Sequence, residues 1–173
     1  MSTTLEKVGT GKGKSLEADA TSLHDALTEL VRVYQFRDRD RICCHDISVT
    51  QCYALEALLR RGPSGLNELA DELYLDKSTA SRVVTTLERK RYVTRSPHPA
   101  DGRAIVLSVT PAGRRLYDRI RADLVAETSE LLRDFEPEVR EGAAQLILRL
   151  ARAAAVRSGV TPGSGCCPTS GCE

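Results

Sequence analysis

The chain has 173 residues, of which 41% are hydrophobic and 28% charged, and it carries a formal net charge of +1. These values fit an ordinary soluble globular protein. No stretch approaches the roughly 20 apolar residues of a membrane span, and the polar, Gly/Lys-rich start from Met1 to Ser15 lacks the apolar centre of a secretory signal, so a cytoplasmic location is expected. Seven aromatics, with no Trp, leave a core of Leu, Val, Ile and Ala.

Residues 1–15 read as a disordered arm. Apolar residues at helical spacing (Leu16, Leu23, Leu27, Leu30, Val31, Tyr34) predict a first helix to about Arg37. The alternating charges from Arg37 to Arg41 then read as a solvated run before a cysteine-bearing loop. A second helix is expected near Ser48, where Ser48-Val49-Thr50-Gln51 has the form of a capping box. Its stripe is Ala54, Leu55, Leu58 and Leu59, and Gly62-Pro63 ends it. A short helix from Ser64 is buried through Leu66, Leu69, Ala70 and Leu73. Tyr74-Leu75 is a tight turn, and Asp76 or Ser78 caps a further helix to about Lys90, with Ala80, Val83, Val84 and Leu87 at i, i+3, i+4 and i+7.

Tyr92–Ser96 and Ala104–Val109 read as strands joined across a Pro/Gly/Asp turn. Thr110-Pro111 opens a helix to about Phe135, with Thr as cap and Pro at the first helical position. Glu136-Pro137 breaks it, and a last helix runs to about Arg157. The expected organisation is an N-terminal dimerisation helix and loop (16–47), a DNA-binding unit (48–110), C-terminal dimerisation helices (111–157) and a flexible tail (158–173). The fold class is mainly α with a small β-hairpin wing.

Charge is unevenly placed. Between Asp76 and Arg103, seven basic residues (Lys77, Arg82, Arg89, Lys90, Arg91, Arg95, Arg103) face three acidic ones (Asp76, Glu88, Asp101), a surplus of four, so the remainder nets −3. A local basic surface on a near-neutral chain is an electrostatic footprint for phosphate. The order helix, short helix, tight turn, helix, hairpin is that of a winged helix-turn-helix. A helix entering the major groove must bury one stripe and present small polar and basic side chains on the other. Ser78, Thr79, Ser81, Arg82, Thr85, Thr86 and Arg89 lie away from the Ala80/Val83/Val84/Leu87 stripe. Arg82 has the donor fork for a guanine. Arg103 at the hairpin tip reaches a minor groove, with Asp101 holding its guanidinium, and Arg95 joins them as a DNA-contact candidate. A winged helix used only for protein contact is the competing reading, and the exposed Ser/Thr/Arg face argues against it.

At these residues the chain resembles a known family. The run from Leu66 to Arg95 (LNELADELYLDKSTASRVVTTLERKRYVTR) looks like the helix-turn-helix core of the MarR family, and Asp101 to Gly113 (DGRAIVLSVTPAG) resembles its wing and following helix. The similarity is strong over about residues 48–115. The resemblance implies a homodimer built from the first and last two helices, two DNA-binding lobes and a pseudo-palindromic double-stranded operator. In many relatives Gly ends the recognition helix where Arg91 stands. A left-handed non-Gly residue costs about 1 kcal/mol, which argues for a different helix end here.

All six cysteines lie outside residues 53–165, in two groups: Cys43, Cys44 and Cys52, then Cys166, Cys167 and Cys172. In a reducing cytosol this usage points to metal or redox chemistry more than to structural disulfides. Thiolates suit As(III), Hg²⁺, Zn²⁺, Cu⁺ or an iron–sulfur cluster, so the six are candidate ligands for a thiophilic effector of a repressor. The eight-residue linker spans roughly 16 Å, enough to bring the tail over a nearby site. Against this, Cys52 shares a helical face with Leu55 and Leu59 and also reads as a core cysteine, and His45 reads as a ligand or as a solvated loop residue. Cysteine oxidation, or a small aromatic ligand of the kind many family members bind between their lobes, are the alternative signals. Catalysis is not expected. The three histidines are scattered, no nucleophile elbow or paired-histidine metal motif is present, and Gly13-Lys14-Ser15 lacks the earlier Gly of a phosphate loop.

Overall fold

The computed structural model describes residues 15–98 and 101–157, without the side chains of Cys43, His98 and residues 101–103. In chain order the elements are α1 (Leu16–Cys43), α2 (Val49–Arg61), α3 (Leu66–Glu72), α4 (Lys77–Arg89), β1 (Val93–His98), β2 (Asp101–Val109), α5 (Pro111–Leu131) and α6 (Pro137–Arg157). The fold is mainly helical with one antiparallel hairpin. The described chain falls into two units divided between Arg39 and Asp40.

The first unit is the greater part of α1. The helix does not stop at Arg37 but runs through the charge run to Cys43. Nothing in that run breaks a helix, since it contains neither Gly nor Pro. The Arg37 guanidinium lies 3.9 Å over the Tyr34 ring one turn earlier and bonds Asp38 Oδ1 at 2.7 and 3.0 Å. Cys43 therefore ends α1 instead of lying in a loop.

The second unit holds the core. Ile42, Leu55, Leu69, Val84, Leu87, Val93, Leu107 and Ile120 are almost wholly buried. The capping box at α2 forms as read: Gln51 N–H donates to Ser48 Oγ, and Ser48 N–H donates back to Gln51 Oε1, each at 3.2 Å. Ser64 does not begin a helix. Its main chain pairs with Leu107 in both directions (3.2 and 2.9 Å), laying a one-residue third strand beside the hairpin. Helix α3 starts after Gly65, whose N–H donates to Glu68 at 2.8 Å.

The helix-turn-helix junctions rest on left-handed residues. Tyr74 (φ 54°) follows α3 and Arg91 (φ 63°) follows α4. At the second, Tyr92 N–H donates to Leu87 C=O (2.9 Å) and Arg91 N–H to Glu88 C=O (2.8 Å), the paired bonds of a Schellman cap. The end that Gly would form is thus formed by Arg91. The expectation of a different helix end is corrected, because these bonds and the burial of Leu87 and Val93 outweigh about 1 kcal/mol of backbone strain.

The hairpin pairs Val93 with Val109 through Pro97 with Ile105, with an irregularity between Pro97 and His98, so both strands are longer than the alternation predicts. Thr110 caps α5 by accepting from Gly113 N–H at 3.0 Å and donates to Arg91 C=O at 2.8 Å. A Cβ on Gly113 would lie 2.3 Å from Tyr92 O. Only Gly allows α5 to start this close to β1.

Two helices keep apolar residues in solvent. Along α1, Leu23, Leu27, Leu30, Val31, Val33 and Phe36 are exposed. Helix α6 buries none of its residues, and Leu146, Ile147 and Leu148 are each more than half exposed.

Candidate nucleic-acid interface

Helix α4 is anchored by its own sequence. Ala80, Val84 and Leu87 are fully buried, and Val83 packs partly against the core. The opposite side carries the exposed Ser78, Arg82, Thr85 and Arg89, flanked by the half-buried Thr79, Ser81 and Thr86. Asp76, not Ser78, is the N-cap. Its carboxylate accepts the Ser78 and Thr79 N–H groups (2.9 Å each) and both hydroxyls (2.6 Å each). The Ser78 hydroxyl, then the Thr79 hydroxyl and N–H, hold the Asp76 carboxyl well below its ordinary value.

This arrangement changes what the first turn of α4 can offer. Each hydroxyl has one proton, and those of Ser78 and Thr79 point at Asp76. The carboxylate also sits where a helix N-terminus would attract an anion. Arg82 and Arg89, one and three turns further along, are the exposed cations of this face.

Strand β1 brings Arg95 across α4. Arg95 Nη2 donates to Thr85 Oγ1 at 3.1 Å, and its Nε lies 3.5 Å from Glu88 Oε2. Arg95 thus joins hairpin to helix. Asp101 and Arg103 lie at the start of β2, at the turn of the hairpin, and their side chains are outside the described residues. Lys90 at the end of α4 pairs with Asp46 in the α1–α2 turn at 3.1 Å.

The cysteines separate. Cys52 is buried with Leu55 and Leu58 in the α2 core, as the structural reading of its helical face has it. Cys44 is exposed in the α1–α2 turn, its Sγ donating to Asp40 C=O at 3.2 Å. It lines a cavity of about 310 Å³ with Arg41, His45, Ile120, Asp123, Ala126 and Glu127. His45 Nε2 is 3.6 Å from Asp123 Oδ2, and Glu127 pairs with Arg41 while its Oε2 is buried with no hydrogen-bond partner among the described residues. No three His, Cys, Asp or Glu side chains among the described residues stand close enough to hold one metal ion. The Cys43 side chain and the whole of Cys166, Cys167 and Cys172 lie outside them.

Comparison with known proteins bears on all of these elements. The MarR family profile matches residues 45–104, which hold α2 to the start of β2. The uncharacterized HTH-type transcriptional regulator Mb0904 of Mycobacterium bovis is 30% identical over 141 residues, covering 78% of this chain and 96% of the relative. The chain belongs to the MarR family. YxaD of Bacillus subtilis, another HTH-type regulator, is 26% identical over 127 residues, 73% of this chain and 89% of its own. The solved MarR family protein from Bacillus stearothermophilus superposes with a TM-score of 0.75 at 20% identity, covering 82% of this chain and all but 1% of its own.

As a MarR-family chain it is a DNA-binding transcription regulator with a winged helix. Its relatives and fold are those of transcription regulators rather than enzymes. Among the described residues no helix is long and apolar enough to cross a membrane. Two features escape sequence reasoning in this MarR-family chain. In the sequence Glu88 is only a charge set against the basic segment, whereas in the fold it steers Arg95. The Arg41–Glu127 pair and Asp123 unite residues more than 75 positions apart, and no local spacing announces them.

Proposed function

We propose that this chain is a homodimeric repressor that lays α4 into the major groove of a pseudo-palindromic duplex operator and sets its wing beside it. Ser81, Arg82, Thr85 and Arg89 face the bases and backbone, with Ser78 and Thr79 accepting at the helix start. Arg95 braces the wing, and Asp101 and Arg103 reach the flanking minor groove. The observation that carries this is α4 itself, a helix whose buried Ala80/Val84/Leu87 stripe leaves a hydroxyl-and-guanidinium face in solvent. The protein acts by binding, in the cytoplasm, without catalysis.

The dimer is supported by the exposed apolar residues of α1 and α6, since apolar side chains grouped on one helix in solvent mark an interaction surface. A second copy covers them, and sedimentation should give twice the chain mass at micromolar concentration.

The effector acts at the turn that holds Cys44. A thiophilic ion (As(III), Hg²⁺, Zn²⁺, Cu⁺ or an iron–sulfur cluster) bonds to Cys44 with Cys43 and the tail cysteines 166, 167 and 172, while Cys52 serves the core. The exposed Sγ of Cys44 on a cavity with His45 and an orphaned Glu127 oxygen supports this. The volume and the Ile120 and Ala126 lining favour a second reading, a small aromatic ligand in the same cavity, and oxidation of Cys44 is a third route to the same switch.

One experiment separates these layers. A gel-shift titration of the purified protein on duplex DNA at several salt concentrations should show binding that weakens steeply with salt, and the Arg82→Ala/Arg103→Ala variant should lose it while remaining folded. Unchanged affinity in that variant refutes the α4 reading. If As(III) or Hg²⁺ releases the wild type and not a variant with all six cysteines replaced by Ser, the thiol reading holds. Release that persists in that variant with an aromatic acid favours the cavity ligand.

A further inference from the structure

The outer face of α4 presents five hydroxyls, and their protons are not equivalent. Ser78 and Thr79 donate to Asp76 at 2.6 Å, and Thr86 Oγ1 donates to Arg82 C=O at 3.0 Å. With one proton per hydroxyl, these three can only accept from an approaching molecule. Thr85 is the reverse case. Its Oγ1 accepts from Arg95 Nη2 at 3.1 Å, and its own proton is directed to no group among the described residues. The side chain is exposed, in the row Ser81, Thr85, Arg89 along the helix. The hydroxyl of the half-buried Ser81 has no hydrogen-bond partner among the described residues, so it turns to suit either role.

We infer that Arg95 biases Thr85 toward donating and so makes it a specificity-determining residue of α4, its free proton reading an acceptor on a base edge. This rests on the DNA-binding reading above and adds to it the direction of one proton. The acceptor groups of the major groove are purine N7, guanine O6 and thymine O4, whereas the exocyclic amines of adenine and cytosine are donors. A free hydroxyl would rotate to serve either kind. Thr85 has one of its two lone pairs engaged by a cation, which weakens the hydroxyl as an acceptor and biases its free proton toward an acceptor on the base edge. Glu88, 3.5 Å from Arg95 Nε, holds the guanidinium across the helix. Arg95 is a positioning residue in this scheme, acting through Thr85. A phosphate oxygen is also an acceptor, but a short side chain between Arg82 and Arg89 is suited to the groove floor, while the two long arginines reach the strands on either side.

The test is a selection of full-length protein on a duplex library with a randomised centre, followed by titration of single-base variants of the selected duplex. Wild type should select a motif with one position per half-site that favours guanine or thymine over cytosine, whose major-groove edge offers only a donor. Thr85→Val, which keeps the shape and removes the hydroxyl, should lose roughly a three- to tenfold preference at that position and no other. Thr85→Ser should retain it. Arg95→Ala should relax the same position and leave the salt slope unchanged, since Arg95 meets Thr85 and Glu88 rather than a phosphate. A Thr85→Val motif identical to wild type overturns the inference. So does a loss of affinity spread equally over all sequences, which marks a phosphate contact, or relaxation by Arg95→Ala at a different position. If wild type shows no salt-dependent binding to the library at all, the DNA reading falls first and takes this inference with it.

Discussion

Arg91 offers the sharpest check on the physical reasoning. It holds φ at 63° after α4, where its N–H and that of Tyr92 close the helix on Glu88 and Leu87. A non-Gly residue in this conformation carries about 1–2 kcal/mol of steric strain. Arg91→Gly removes that strain and gives the unfolded chain extra freedom, which takes back roughly 0.5–1 kcal/mol. The net expectation is a stabilisation of about 0.5–1 kcal/mol, or a rise in Tm of about 1–4 °C for a chain of this size. Urea unfolding at a fixed protein concentration reads it as a higher midpoint with an unchanged slope. Arg91→Ala is the control, since it loses the charge and keeps the strain, and it should leave the midpoint where it was. A lower or unchanged midpoint for Arg91→Gly, or an equal rise for Arg91→Ala, refutes the strain argument and shifts the effect to charge.

Other outcomes follow from single contacts. Gly113→Ala drives a methyl to 2.3 Å from Tyr92 O and 2.9 Å from Val109 Cγ1, and should destabilise by about 1–3 kcal/mol in the same urea assay. Asp76 has a folded-state pKa below its ordinary 3.8, so its contribution is present above that value and lost as pH falls through the lower folded one. In thermal melts from pH 5 downward, Asp76→Asn should flatten that part of the acid limb, and an identical pH dependence would contradict the cap assignment. Alkylation followed by peptide mapping should modify Cys44 in the native protein and Cys52 only after unfolding, because Cys44 is exposed and Cys52 is buried. Equal rates at the two would contradict the placement of Cys52 in the core.

The elements easiest to read were those whose signal is local. The Ser48/Gln51 box, the Thr110-Pro111 start and the α4 stripe each involve residues within one or two helical turns, so sequence spacing translates directly into contact. The errors share the opposite cause. The charge run at 37–41 is exposed, but exposure does not end a helix, and α1 continues through it to Cys43 with Arg37 stacked on Tyr34. Ser64 looked like a helix start because its partner, Leu107, is 43 positions away. At Arg91 the strain of a left-handed non-Gly residue is visible in the sequence, whereas the burial of Leu87 and Val93 that offsets it is not.

What the sequence determined by itself is the winged helix, its recognition helix and its family resemblance, since these follow from periodicity, caps and a contiguous motif. Only the tertiary structure decided that Cys44 faces solvent while Cys52 is buried, that Arg95 reaches Thr85 and which residues share the Cys44 cavity. Those properties depend on groups brought together from distant positions, by chain packing that no local pattern encodes.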